Sequence, residues 1–202
     1  VDIPRLTGSG AFAWLPDDGD VTDQDVSLDS VSMMPKTVAG SVAMSRRLLK
    51  QSTPQIDALV AEDLARGAAL TIDLAALEGD GTGNSPIGVA NTPDVLAQTI
   101  TDLTAGVPTW EEAVGFVTAL DSHDAATGSL AYICTPAVRG GMKTKTKDAG
   151  SGQFVIGTDG TVGGEEVLVT SQLSPKRIMY GNWNDLLIGH VGRARYRPGH
   201  RL

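Results

Sequence analysis

The chain has 202 residues, 24 acidic against 16 basic side chains, a net charge of −8 and 41% hydrophobic residues. That length carries a packed core, so a disulfide-stapled miniprotein is excluded, and the composition excludes wholesale disorder. The acidic balance argues against a surface built throughout to hold phosphate backbones.

Charge divides the chain into three. Residues 1–35 hold seven aspartates against Arg5, residues 193–202 hold four arginines and no acid, and the body between is mildly acidic. In the leader, apolar and polar positions alternate at Phe12 and Trp14 and again at Val26 and Leu28, with Pro16-Asp17-Asp18-Gly19-Asp20 between them. This predicts a β-hairpin. Arms of roughly 12–15 residues would extend ~40–50 Å, against a radius of gyration of ~17 Å for a compact chain of this length. An isolated hairpin is marginal in water, so this one needs another surface, such as a neighbouring copy. Two edge strands folded back on the same body is the other reading.

The spacing predicts a long helix over about 54–77. Ser52 and Thr53 are capping residues, Pro54 suits the first helical position, and Gln55 stands three after Ser52 as in a capping box. Ile56, Leu59, Val60, Leu64, Gly67, Leu74 and Leu77 fall on one face, with Glu62 and Arg66 paired on another. At ~1.5 Å per residue such a helix is a beam of ~36 Å. Gly79-Asp80-Gly81-Thr82-Gly83 ends it. Helices are further expected at Pro93 to Ala105, capped by Thr92, and at Trp110 to Leu120, capped by Thr109. Strands are expected at Leu130–Cys134, Glu166–Thr170 and Leu186–Ile188, and a short helix at Pro136–Met142. Ala149–Gly164 reads as an exposed glycine-rich loop, with a hairpin at Thr158-Asp159-Gly160-Thr161. The class is α+β.

Little in the chain points to chemistry. The glycine-rich 79–83 segment closes a helix instead of opening one and lacks the Lys-Ser/Thr pair of a nucleotide loop, so it reads as a turn. Asp18, Asp20 and Thr22 imitate the start of a calcium loop, but Asp23 and Asp29 stand where glycine and glutamate belong. His123, His190 and His200 are scattered, and Cys134, in an apolar run, reads as a buried inert thiol. No catalytic residue, metal site or cofactor is expected. Lys143, Lys145 and Lys147 form the densest basic cluster of the body; they read as a solvated loop or as a partner for the acidic leader of another copy. The chain lacks an apolar run of the ~18–20 residues that a membrane span needs and shows no signal segment, so a cytoplasmic product with no membrane partner is expected.

Several stretches carry a resemblance: Met34-Pro35-Lys36-Thr37-Val38-Ala39, Met44-Ser45-Arg46-Arg47-Leu48-Leu49, Leu77-Glu78-Gly79-Asp80-Gly81-Thr82-Gly83 with Pro86-Ile87-Gly88, Tyr132-Ile133-Cys134-Thr135-Pro136, Lys147-Asp148, Gly152-Gln153-Phe154, and Tyr180 to Gly189. In their order and spacing they resemble the major capsid proteins of tailed bacteriophages, the Hong Kong 97-type family. The resemblance implies an α+β capsid fold: an E-loop hairpin over 1–35, a peripheral (P) domain with the spine helix over 36–92, and an axial (A) domain of mixed helix and strand over 93–190. It also implies a non-enzymatic shell subunit, assembling as pentamers and hexamers into an icosahedral virion head around packaged DNA in the host cytoplasm. A scaffolding protein, maturation protease and portal would be its partners. Phe12, Trp14, Asp17, Asp18, Asp20, Lys143, Lys145 and Lys147 are the expected subunit contacts. Some members cross-link an E-loop lysine to a neighbour's asparagine; residues 1–35 contain no lysine, so noncovalent association is expected. The basic stretch over 191–202 departs from the family pattern, which suggests a truncated or frameshifted prophage form unable to close proper shells. A related compartment shell, an encapsulin, is the near alternative, and a phosphate-binding enzyme using residues 79–83 the distant one.

Overall fold

A computed structural model describes residues 2–8, 14, 27–44, 55–102 and 104–189. The chain divides into two compact units, Val1–Lys36 and Thr37–Leu202.

In the first unit, β1 (Asp2–Gly8) and β2 (Ser27–Ser32) pair antiparallel; the expected pairing is present, but the described strands are 7 and 6 residues long, the first lies ahead of the Phe12–Trp14 alternation, and Trp14 belongs to no strand. The register sets Ile3 against Val31, Arg5 against Asp29 and Leu6 against Leu28, and it shifts between Leu6 and Gly8. Thr7 Oγ1 donates to the Ser27 carbonyl at 3.0 Å across that irregularity. The turn with Asp17, Asp18 and Asp20, and Phe12 itself, lie outside the described residues.

The second unit opens with residues 37–44, which have no regular structure, followed by α1 (Gln55–Glu78). The expected capping residues 52–54 lie outside the described residues. Between Ala58 and Leu74 none of its side chains is buried; the expected apolar face is largely open, with Leu59 66% and Leu74 46% exposed, and only Leu77 is buried. The Glu62–Arg66 pair forms at 3.5 Å, but both side chains are 70% exposed, a geometry that contributes little. The glycine segment then turns the chain back: Asp80 bridges Ile87, and the Gly88 amide donates to the Gly79 carbonyl at 2.8 Å.

No helix forms over the described residues of 93–105, a correction to the periodicity reading. Thr92 Oγ1 turns backward to the Gly88 carbonyl, closing a 3-10 turn at Val89–Asn91, and Asp94 takes a positive φ of 64°. Asp102 Oδ1 accepts the Thr104 and Ala105 amides, and Glu112 accepts the Thr101 amide. Side-chain acceptors thus satisfy amides that a helix would have used.

Helix α2 (Trp110–Asp121) begins as predicted. Thr109 accepts the Glu112 amide, and the Glu112 carboxylate accepts the Thr109 amide at 2.7 Å, a complete capping box. Glu112 also accepts from the Thr101 hydroxyl. Burial pushes its pKa up, but the hydrogen bonds from Thr101 and Thr109 outweigh that and hold it at about 2. A depressed folded-state pKa contributes stability that is full above the ordinary value of 4.5 and lost as pH falls from there through about 2. Glu112→Gln should therefore flatten this part of the acid denaturation profile. Thermal midpoints of both proteins measured from pH 5 to pH 2 would show it, and parallel curves would contradict the assignment.

A four-stranded sheet of order β4-β5-β3-β6 forms the centre. It comprises β3 (Leu130–Cys134), β4 (Thr161–Val162), β5 (Glu165–Val169) and β6 (Ile178–Asn182). Helix α3 (Pro136–Thr144), capped by Thr135, crosses from β3 toward parallel β5. Alternation puts Tyr132, Cys134, Val167, Ile178 and Tyr180 on one face. There they meet Ala113, Val138, Met142, Val155 and Ile156. Cys134 is fully buried, which pushes its thiol up to about 11.

Three further expectations change. The stretch Ala149–Gly164 is not simply an exposed loop, because Val155 and Ile156 are core residues, held through the Val155 amide to the Lys145 carbonyl at 2.9 Å. The hairpin turn is not at 158–161 but at Gly163-Gly164, where positive φ at both residues suits a two-residue loop; Asp159 instead accepts the Thr161 amide and hydroxyl in a local turn. Leu186–Ile188 is not a strand. Ile178–Asn182 takes that place beside β3, and Trp183 Nε1 donates to the Ala131 carbonyl at 2.8 Å as the chain leaves the sheet.

Candidate functional site

A binding or catalytic cluster is not what the described residues present. Among them no group of His, Cys, Asp and Glu is placed to hold a metal ion. The 79–83 segment spends its backbone amides internally. Gly79 donates to Ala75, Gly81 to Pro86 and Ser85 to Thr82, while the Asp80 carboxylate takes the Thr82 amide and hydroxyl. An anion arriving there would meet a carboxylate instead of open N–H groups. His123 Nδ1 lies 2.9 Å from the Ala119 carbonyl at the end of α2; His190 and His200 fall outside the described residues. No described helix is long and apolar enough to cross a membrane.

Surfaces are the more informative feature. Successive residues of a strand point to opposite faces, so the ribbon carries the Ile3–Val31 pair with Arg5–Asp29 on one side and Leu6–Leu28 on the other. Leu6 is 57% exposed, Leu28 70% and Val31 49%. A ribbon normally offers one apolar face to a core and one polar face to water; this one leaves Leu6 and Leu28 uncovered on one face and Val31, opposite a half-buried Ile3, uncovered on the other. Trp14 is fully exposed.

The three lysines are not equivalent. Lys143 is exposed in the last turn of α3. Lys145 Nζ donates to the Val107 carbonyl at 2.9 Å, and Lys147 Nζ sits 3.7 Å from the Trp110 ring centroid, a cation–π contact. Two of the three ammonium groups therefore fasten their own segment to the start of α2. Spacing alone identifies a cluster but not which members are occupied.

At the sheet's outer edge, β6 borders an open groove of about 940 Å³ lined by Val95, Leu96, Ile100, Met179 and Tyr180 among others. Burial pushes the Tyr180 phenol up to about 12, helped by the negative charges of Glu165 and Asp121.

One junction has no signal in the sequence because its partners lie 96 positions apart. Glu78, the last residue of α1, accepts the Ser174 amide at 2.8 Å and the Ser174 hydroxyl, and pairs with Arg177 Nη1 at 3.2 Å. Burial raises its pKa, but the bonds from Ser174 and the Arg177 charge outweigh this and leave it lowered. Asn91 Nδ2 donates to the carbonyls of Glu78 and Gly79 beside it, at 3.2 and 2.9 Å.

The phage capsid family matches residues 1–198. The major capsid protein of Halomonas phage phiHAP-1 is 30% identical over 192 residues, 95% of this chain and 31% of that protein. That of Klebsiella oxytoca phage phiKO2 is 27% identical over 89 residues, 44% of this chain and 21% of that protein. The chain thus spans less than a third of the length of these curated relatives. Among solved structures, the capsid of a native GTA particle computed with C5 symmetry superposes with a TM-score of 0.64 at 17% identity, covering 91% of this chain and 68% of that one. The empty particle's capsid gives 0.63 at 16% identity, with 91% and 67% covered. The α+β, Hong Kong 97-type capsid fold expected from the sequence is therefore the fold observed, and with nearly its whole length matched, the chain belongs to the phage capsid family.

Proposed function

We propose that the chain is a structural coat subunit of a tailed phage or prophage, a non-enzymatic tile that associates noncovalently with copies of itself into a virion shell around DNA. The observation that carries this reading is the β1–β2 ribbon with uncovered apolar side chains on both faces, Leu6 and Leu28 on one and Val31 on the other. A two-stranded ribbon is marginal alone, and burying about 25 cal/mol per Å² of apolar surface against a neighbour is the available stabilisation. In this reading residues 1–35 are the E-loop, 36–92 the P domain with α1 as its spine, and 93–190 the A domain. Phe12, Trp14 and the acidic turn of Asp17, Asp18 and Asp20 touch the adjacent subunit. Lys143 offers that turn a positive charge, while Lys145 and Lys147 hold the loop from which the charge is presented.

Deleting residues 1–35 should lower the mass of the self-associated species in multi-angle light scattering while leaving the near-ultraviolet signal of the Tyr132–Tyr180 core unchanged. An undiminished mass would overturn the reading.

A further inference from the structure

We propose that the Glu78 carboxylate is a mechanical latch: it locks the long helix α1 at one angle to the α/β body, and releasing it makes the two a hinged pair. The inference does not rest on the coat reading, because it concerns contacts within one chain.

Among its described side chains, helix α1 is buried only at its C-terminal end. From Ala58 to Leu74 its side chains are exposed or half-buried, and burial starts only at Leu77, in the last turn. The 37–44 stretch comes near the helix midway, where a Cβ at Gly40 would lie 3.7 Å from Leu64, but that stretch precedes α1 in the chain and belongs to no strand of the sheet. The helix is thus a lever fastened at one end. With ~1.5 Å of rise per residue, each 10° of rotation at the fastening moves the far tip by about 6 Å.

The chemistry of the fastening is unusual for its position. An acid in the last turn of a helix faces the negative end of the helix dipole, and α1 has no basic residue there to offset it. A carboxylate is favourable at this point only because partners from a distant segment neutralise it. Those partners are the Ser174 amide and hydroxyl and the Arg177 guanidinium, in the loop that leads into β6. Both carboxylate oxygens are used, one per Ser174 donor, with Arg177 sharing the first, so the group is fixed in direction as well as place. Asn91 and the Gly79–Gly88 backbone crossing tie the helix end to the 86–91 segment. Glu78 alone among these ties reaches the segment continuous with the sheet.

The test is a distance distribution by double electron–electron resonance between spin labels at Ala68→Cys on α1 and Glu111→Cys on α2, both exposed positions. Cys134 is fully buried and takes no label, and labelled chain is diluted into unlabelled chain to suppress signals between copies. The background with Glu78 intact should give one narrow peak, and Glu78→Ala should at least double its width with the near-ultraviolet signal of the Tyr132–Tyr180 pair unchanged. A peak that superimposes on the intact one would show that the glycine crossing and Asn91 suffice, and would overturn the latch. So would broadening accompanied by collapse of the tyrosine signal, which would mark Glu78 as a general stability determinant. If Glu78→Ala does not fold, Ser174→Ala combined with Arg177→Gln removes the same bonds from the loop side and is judged by the same two criteria.

Discussion

Replacing Tyr132 with alanine should cost about 3 to 5 kcal/mol, the range for emptying a buried aromatic site. Tyr132 is 1% exposed. Its ring meets Phe116 edge-on, with centroids 6.3 Å apart at 89°, and lies 4.4 Å from the Tyr180 ring at 33°. Its hydroxyl donates to the Ala113 carbonyl at 2.8 Å, so one side chain joins β3, β6 and α2. The same burial that excludes water raises its pKa far above the ordinary phenol value. Tyr132→Phe removes only the hydrogen bond and should cost about 1 kcal/mol. Urea unfolding of the two variants separates ring packing from the hydroxyl. A loss of 1 kcal/mol or less for Tyr132→Ala would mean that the core does not converge on this residue.

Gly88→Ala should be comparably damaging, about 3 kcal/mol or more, through overpacking that cannot relax. An added Cβ would stand 2.4 Å from the Gly79 nitrogen, 2.7 Å from the Glu78 nitrogen and 2.8 Å from the Leu77 carbonyl carbon. All three are backbone atoms of the α1 terminus. Gly79 meets the same obstacle from the other side, with a Cβ 2.2 Å from the Pro86 carbonyl oxygen. Gly67→Ala is the control, because nothing lies within 4 Å of its Cβ and the helix gains propensity. Thermal unfolding should rank Gly88→Ala well below the parent and Gly67→Ala at or above it. Equal midpoints for the two variants would contradict the close crossing.

Which features could be read from the residues follows from the range of the interactions. The helices at 55–78 and 110–121 were legible because spacing and caps are local; Thr109 and Glu112 sit three apart and bond reciprocally. The helix expected over 93–105 had the spacing but not the outcome, because Thr92, Asp94 and Asp102 commit their backbone to turns and Glu112 captures the Thr101 amide from eleven residues away. The strand at Ile178–Asn182 was obscured by its interior Gly181, which weakens any local strand signal, and was decided by its pairing with β3. The family resemblance supplied the fold that local rules could not. The Glu78 junction remained invisible because neither spacing nor motif links positions 78 and 174.

The lysines show the same limit at a surface. Charge density marked residues 143–147, yet contact with the Val107 carbonyl and the Trp110 ring decides which ammonium groups are free to act elsewhere. That is a property of the folded loop and not of the run of residues.

If another copy covers the two-faced ribbon, protection of its backbone must depend on association. The decisive measurement is amide hydrogen exchange of residues 2–8 and 27–32, followed across a protein concentration series that spans the self-association. Protection should be weak in dilute solution and rise with the associated fraction; strong protection that does not vary with concentration would mean that the ribbon needs no neighbour.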